Sequence, residues 1–358
     1  MKMDRSIIAK FPDDDHVLGP FLGNLPPEIL DVVVKKLGWF QTTFAMAGRS
    51  CREAVDRVPS TRAVLTEDDR EDMISDVTPL AVAVMEGDVE AMVWLMQLFD
   101  EEGLEWRDDS GTGPGLSILA AKRGKTESLT CLRANGCPWD EMTCAYAAEG
   151  GHLEVLQWAR QNGCEWDEMT CLRAAERGHL EVLKWARENG CPWDEMTCAY
   201  AAEGGHLEML QWALVNGCPW DWTTCAFAAE GGHLGVLQWA RENGCPWDAY
   251  TCARAAGEGH LEVLQWARLN GCPWDGLTCA RAAQGGHLGV LQWARENGCP
   301  WDEWTCANAA REGHLEVLQW ARQNGCPWDK WTCCYAADGG HLEVLQWARQ
   351  NGCPEYQE

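Results

Sequence analysis

Positive charge is scarce in this sequence: 29 Lys and Arg stand against 55 Asp and Glu, a formal net charge of −26 over 358 residues. Such a surface repels phosphate backbones and anionic lipid, so nucleic acid and membrane are disfavoured as partners. A basic protein or peptide is the expected partner, or else the acid excess serves solubility alone. Long apolar runs are also missing. No stretch of 18 apolar residues occurs, so no membrane-spanning helix is expected. The opening MKMDRSIIAKFPDDDH has no apolar core of the kind a secretory leader needs, and Asp13 to Asp15 would interrupt one. The strand-like alternation of apolar and polar residues is absent from the repeated region. No nucleophile elbow, Gly-rich phosphate loop or asymmetric acid–base pair is found, and binding is expected in place of catalysis.

Cysteine, by contrast, is abundant. Twenty Cys in a short secreted chain would read as a disulfide framework, but the expected compartment is intracellular and reducing, cytoplasmic with the nucleus left open. All but Cys51 fall in or beside a repeated unit. His152, His179, His206, His233, His260, His287, His314 and His341 follow one another at intervals of 27 residues. One unit runs from Thr143 to Met169 as TCAYAAEGGHLEVLQWARQNGCEWDEM. A degenerate unit begins at Leu116 and an older-looking one at Thr78, giving eight strict units and two divergent ones.

Each unit encodes two short helices. From Leu153 to Gln161, apolar residues at 153, 155, 156, 158 and 159 form a wide stripe, with Glu154, Gln157 and Arg160 opposite. Asn162-Gly163 supplies the stop, because Gly accepts the left-handed conformation without a Cβ penalty. Pro in the Cys-Pro-Trp-Asp turn forbids continuation, and its Asp is placed to cap the next helix. That helix, about Asp140 to Glu149, is rich in Ala, so its neighbours can approach closely. Gly150-Gly151 ends it. Neither helix alone buries its apolar face, so the units must stack on one another. The fold class predicted is all-α, a solenoid of about ten helix pairs preceded by a small helical N-terminal segment. Two Trp series, Trp158 to Trp347 mid-helix and Trp139 to Trp328 in the turns, read as scaffold because a buried indole brings a large apolar area.

A His and two Cys per unit invite a metal reading, which geometry opposes. Equivalent residues of stacked helical units lie about 8–10 Å apart, whereas zinc ligands converge within about 2.0–2.3 Å of one ion. Cys137, Cys144 and His152 have neither CxxC nor HxxxH spacing. No metal or cofactor is expected, and the Cys read as small core residues. A Cys137–Cys144 disulfide across the turn stays open.

Thr78-Pro79-Leu80, Ala83, Gly87 and Asp88, with Ala147 to Leu156 in the strict units, carry a resemblance to ankyrin repeats. The period of 27 is shorter than that family's roughly 33 residues, and the missing residues fall where its members place a β-turn finger. Between Gly87 and Gly124 the spacing is 37, and the turn-rich stretch 103–115 is similar to a surviving finger. The resemblance covers about 76–353, within a repeat domain of 76–358. Residues 1–21 read as a tail and 61–75 as a linker. Between them, residues 22–60 resemble a degenerate F-box: Leu25, Pro26, Glu28, Ile29 and Leu30, then Cys51 and Arg52. The resemblance implies that these residues dock a Skp-type subunit of a cullin ubiquitin ligase. By residues alone the segment is an N-capped helix followed by a second apolar helix, which would equally serve as a cap on the first repeat.

Comparing units within the chain separates scaffold from surface. Counting from the Thr, offsets +1, +2, +4 and +5 are nearly always Cys, Ala, Ala, Ala, while −1, +3, +6 and +7 vary and share an arc of about 100°. Offset +3 supplies Tyr146, Arg173, Tyr200 and Phe227, then Arg254, Arg281, Asn308 and Tyr335. Offset −1 adds Tyr250, Trp304 and Trp331, with Trp222 one residue earlier in its own unit. These residue types are enriched at interface cores. The ankyrin resemblance implies that first helices line a target-binding groove; neutral drift at half-buried positions would produce the same variability.

Overall fold

A computed structural model of the chain describes residues 79–101 and 115–354. The tail, the F-box-like segment 22–60, the linker and nearly all of the turn-rich stretch 103–115 lie outside the described residues. Among the described residues there are twenty α-helices and no strand. By their contacts they fall into two compact units, one reaching to Ala147 and taking in Glu154–Cys164, the other holding Ala148–Leu153 and the chain from Glu165 onward.

In the first unit α1 (Pro79–Glu86) pairs with α2 (Val89–Glu101), and α3 (Leu116–Lys122) with α4 (Thr126–Ala134). Leu80, Met92, Leu95, Leu129 and Leu132 are buried between them. The pairs stack, α1 on α3 and α2 on α4, and Ser128 Oγ donates to the Val84 carbonyl across that step at 3.0 Å. Helices α5 (Glu141–Glu149) and α6 (Leu153–Gln161) straddle the division.

Seven pairs build the second unit: α7 (Glu168–Glu176) with α8 (Leu180–Glu188), α9 (Glu195–Glu203) with α10 (Leu207–Val215), and α11 (Trp222–Glu230) with α12 (Leu234–Glu242). Then come α13 (Ala249–Gly257) with α14 (Leu261–Leu269), and α15 (Gly276–Gln284) with α16 (Leu288–Glu296). The last are α17 (Glu303–Arg311) with α18 (Leu315–Gln323), and α19 (Lys330–Asp338) with α20 (Leu342–Gln350).

Local chemistry sets each boundary. The first helix begins one residue later than the sequence pattern suggests, because the turn Asp is its cap and not its first residue. Asp194 Oδ1 accepts the Met196 amide at 3.1 Å, and Asp167, Asp221, Asp248, Asp275, Asp302 and Asp329 act alike. Each such cap stabilises its helix by about 1 kcal/mol. Both helices of a unit end in a Schellman turn. After α8, Cys191 N–H reaches the Ala186 carbonyl and Gly190 N–H that of Arg187; after α7, His179 N–H reaches Ala174 and Gly178 N–H reaches Ala175.

Small side chains determine the stacking. In α9, Thr197, Cys198, Ala199, Ala201 and Ala202 are all 0% exposed. In the second unit first helices therefore pack closely on the next first helices, while second helices make far fewer close backbone approaches to one another. The second helix buries only its Val-Leu-Ala core, such as Val236, Leu237 and Ala240. Its leading Leu and its Trp stay half-exposed in most units, so the apolar stripe read from the sequence is wider than the part that is sealed. Leu237→Ala would cost about 2–5 kcal/mol, since a rigid stack of Ala cannot close over the cavity.

The two Trp series meet in pairs. Trp193 lies edge-on to Trp212 at 5.9 Å, and Trp247 to Trp266 at 5.9 Å. An Arg from the preceding second helix covers the turn Trp: Arg187 over Trp193 at 4.0 Å, Arg241 over Trp247 at 4.1 Å. The same guanidinium donates to the Cys191 or Cys245 carbonyl. These turns are thus clamped by a cation–π contact and an edge-to-face indole pair.

Candidate target-binding face

The described Cys are all free thiols, and all but Cys131 and Cys334 sit at one of two recurring scaffold positions, in first helices or in turns. The open Cys137–Cys144 pairing is not the one the fold makes. Cys137 lies against Ser117, which occupies the first-helix Cys position of its unit, at 3.6 Å. Cys144 is instead the partner of Cys164, and the same step of twenty residues joins Cys171 to Cys191 and Cys225 to Cys245. The hydrogen bond to the partner thiol, then burial, holds the protons of Cys171 and Cys225 well above the ordinary thiol range. Among the described residues no group of three or more His, Cys, Asp and Glu converges as a metal site.

His is also part of the scaffold. His179 Nε2 lies 2.9 Å from the Glu149 carbonyl oxygen of the preceding repeat, and His314 Nε2 lies 2.9 Å from that of Gln284. The imidazole thus serves a carbonyl at a first-helix C-terminus, where no intrahelical donor is left.

The variable side of the first helix is the face expected to bind. Tyr146, in the first unit, has Lys122 Nζ 5.4 Å from its ring centroid. In the second unit the offset +3 side chains lie half-exposed, save the exposed Arg281. Tyr200 and Phe227 meet edge-to-face at 5.3 Å, and Trp222 lies 5.7 Å from Tyr250. Further along, Trp331 stacks on Tyr335 at 5.7 Å and Trp304 lies 6.3 Å from the same ring. Trp222, Tyr250, Trp304 and Trp331 are 40%, 48%, 46% and 40% exposed. The Met at the same −1 offset, Met169 and Met196, are half-buried. Asn308 is held in place by its amide, 3.5 Å from the Ala280 carbonyl oxygen. Arg281 bonds within its own helix to Gln284 at 3.0 Å.

Sequence reasoning did not single out a row of carboxylates on this face. Offset +6 reads Glu149, Glu176, Glu203 and Glu230 in successive units, each opposite the +3 residue of the next. Arg173 Nη1 lies 2.9 Å from Glu176 and its Nε 3.7 Å from Glu149. Arg254 bonds Glu230 while its guanidinium carbon lies 5.5 Å from the Phe227 ring centroid. Glu203 has no arginine in ion-pair contact, and the Arg254 charge only partly offsets what acts on it. Burial, and then the Glu230 and Glu176 carboxylates, raise its pKa above the ordinary carboxylate value. Reading offset +6 against offset +3 of the following unit is the signal that would have revealed the row.

The residues expected to dock a ligase subunit, Leu25 to Leu30 with Cys51 and Arg52, lie outside the described residues. No curated protein matches the chain. The human ASB11 ankyrin repeat domain is a similar solved structure at 16% identity and a TM-score of 0.38, over 48% of this chain and 85% of that one. A family model of ankyrin repeats matches residues 144–187 and 171–214, two windows that start one repeat apart. Ankyrin repeats are thus supported at residues 144–214, where the helix pairs stack as repeats do.

Proposed function

We propose that the protein is a non-enzymatic binding scaffold whose first-helix face captures a protein or peptide target. One observation carries this reading. On each first helix of the second unit one side is sealed by Thr, Cys and Ala, while the other presents aromatic and Arg side chains with four large aromatics at 40% exposure or more. Monomeric scaffolds have no structural use for such a row, whereas protein interfaces are enriched in these residue types. Replacing Tyr200, Phe227 and Tyr250 together by Ser should abolish target capture and leave the helical circular dichroism intact. Unchanged capture would refute the face.

The finer reading is that of a substrate receptor in a cullin-type ubiquitin ligase, with the F-box-like segment 22–60 docking a Skp-type subunit. What supports it is the run Leu25-Pro26-Pro27-Glu28-Ile29-Leu30 with Cys51-Arg52. The alternative is a stand-alone scaffold with no ubiquitin role. Co-purification separates the two: wild type should retain a Skp-type subunit and the Leu25→Ala, Ile29→Ala double variant should lose it. If wild type retains none, the stand-alone reading holds.

A further inference from the structure

Of the four carboxylates stacked at offset +6, three are served by an arginine of the chain itself. Arg173 reaches Glu149 and Glu176, Arg177 Nη2 lies 3.7 Å from Glu149, and Arg254 bonds Glu230. Glu203 is the one with no arginine in ion-pair contact, although the Arg254 charge acts on it from the next unit, and its Oε2, like that of Glu149, is shielded from solvent without accepting a hydrogen bond from the protein. The reason is legible unit by unit. The +3 residue facing Glu149 is Arg173 and the one facing Glu230 is Arg254, but the one facing Glu203 is Phe227.

Phe227 has no charge to offer Glu203, and its ring packs edge-to-face with Tyr200 at 5.3 Å. One step on, the chain shows what fits such a place. Arg254 lies against the Phe227 ring and bonds a carboxylate with the same guanidinium. A planar guanidinium satisfies both demands at once, which a compact ammonium does less well. Exposed Trp222 and Tyr250, in the first turns of α11 and α13, offer apolar area for the remainder of a docked segment. The chain's net charge of −26 draws a basic segment to it.

We propose that Glu203 and the Phe227–Tyr200 pair receive an arginine side chain of a basic segment in the protein partner. This rests on the first-helix face being the target-binding face, and it narrows the partner to one that presents arginine to the α9–α11 step. The guest repeats in trans what Arg254 does in cis.

The full-length chain and labelled nona-arginine, nona-lysine and nona-glutamate peptides test it by fluorescence anisotropy. Nona-arginine should bind best and nona-glutamate not at all. Glu203→Gln should weaken nona-arginine about tenfold, as expected for loss of a charge-assisted bond. Glu262→Gln, which removes the same charge from an exposed second-helix site, should change binding little. Phe227→Arg is the decisive variant. It gives Glu203 an arginine of its own, in a position where other units already tolerate Arg, so the variant should fold and exclude the peptide. Equal weakening by Glu203→Gln and Glu262→Gln, or undiminished binding to Phe227→Arg, would overturn the proposal, as would equal binding of nona-lysine. If these arms fail while the Tyr200, Phe227, Tyr250 triple Ser variant still loses its target, the face stands and the arginine is wrong. If the triple variant keeps its target, the face itself is wrong.

Discussion

The imidazole of His233 occupies the space that a side chain on Gly205 would need: a Cβ there would stand 2.6 Å from the His233 Cε1. Gly205 also has φ +74, a conformation that L side chains rarely adopt. The Gly-His pair of each unit is therefore one joint seen from its two sides, the Gly of one repeat receiving the His of the next.

Replacing Gly205 by Ala should cost about 2–4 kcal/mol, combining the left-handed backbone with the displaced ring. Gly244→Ala provides the contrast. It has φ +87 but nothing within 4 Å of where its Cβ would stand, so only the backbone part, about 1 kcal/mol, should be lost. Urea unfolding of both variants, and of Gly205→Ala combined with His233→Ala, measures the difference. The double variant should recover much of the excess cost of Gly205→Ala, because the two residues contact each other.

The same joint is sensitive to pH. Burial lowers the pKa of His233 below its ordinary 6.5, an effect partly offset by its bond to the Glu203 carbonyl. The unfolded chain therefore takes up a proton before the folded one does. Stability from this group is complete above pH 6.5 and is lost as pH falls through the depressed folded value. Urea midpoints measured from pH 7.5 downward should decline over that window, and His233→Gln should flatten the decline.

Leu214 interrupts the Arg series at the end of the second helices. Trp220 and Trp239 are tilted at 54°, whereas the Arg-covered pairs lie at 65° to 73°. Leu214→Arg should restore the cover on Trp220 and a donor for the Cys218 carbonyl, stabilising the protein by about 0.5–1 kcal/mol. A rise in the thermal midpoint checks this. An unchanged or lower midpoint would show that the guanidinium is not what holds the turn.

Helix pairs, caps and stops were legible in the sequence because each is settled within a few residues. Asp194 caps an amide two positions away, and Cys191 reaches back five residues to Ala186. What sequence reading left open depends on residues about one repeat apart. His179 meets Glu149 across 30 positions, and Cys171 meets Cys191 across 20, so neither partner follows from local pattern. The variable stripe was legible from the alternation of constant and changing offsets. Its row of carboxylates was not, because the Glu203–Phe227 neighbourhood exists only once helices are stacked.

Photo-cross-linking tests the binding face most directly. A photoreactive amino acid at position 250 on the first-helix face and another at 215, an 86% exposed site ending a second helix, place equal reactive groups on two sides of the array. The account predicts that position 250 cross-links the captured target and position 215 does not. Efficient cross-linking from 215 with none from 250 would contradict it.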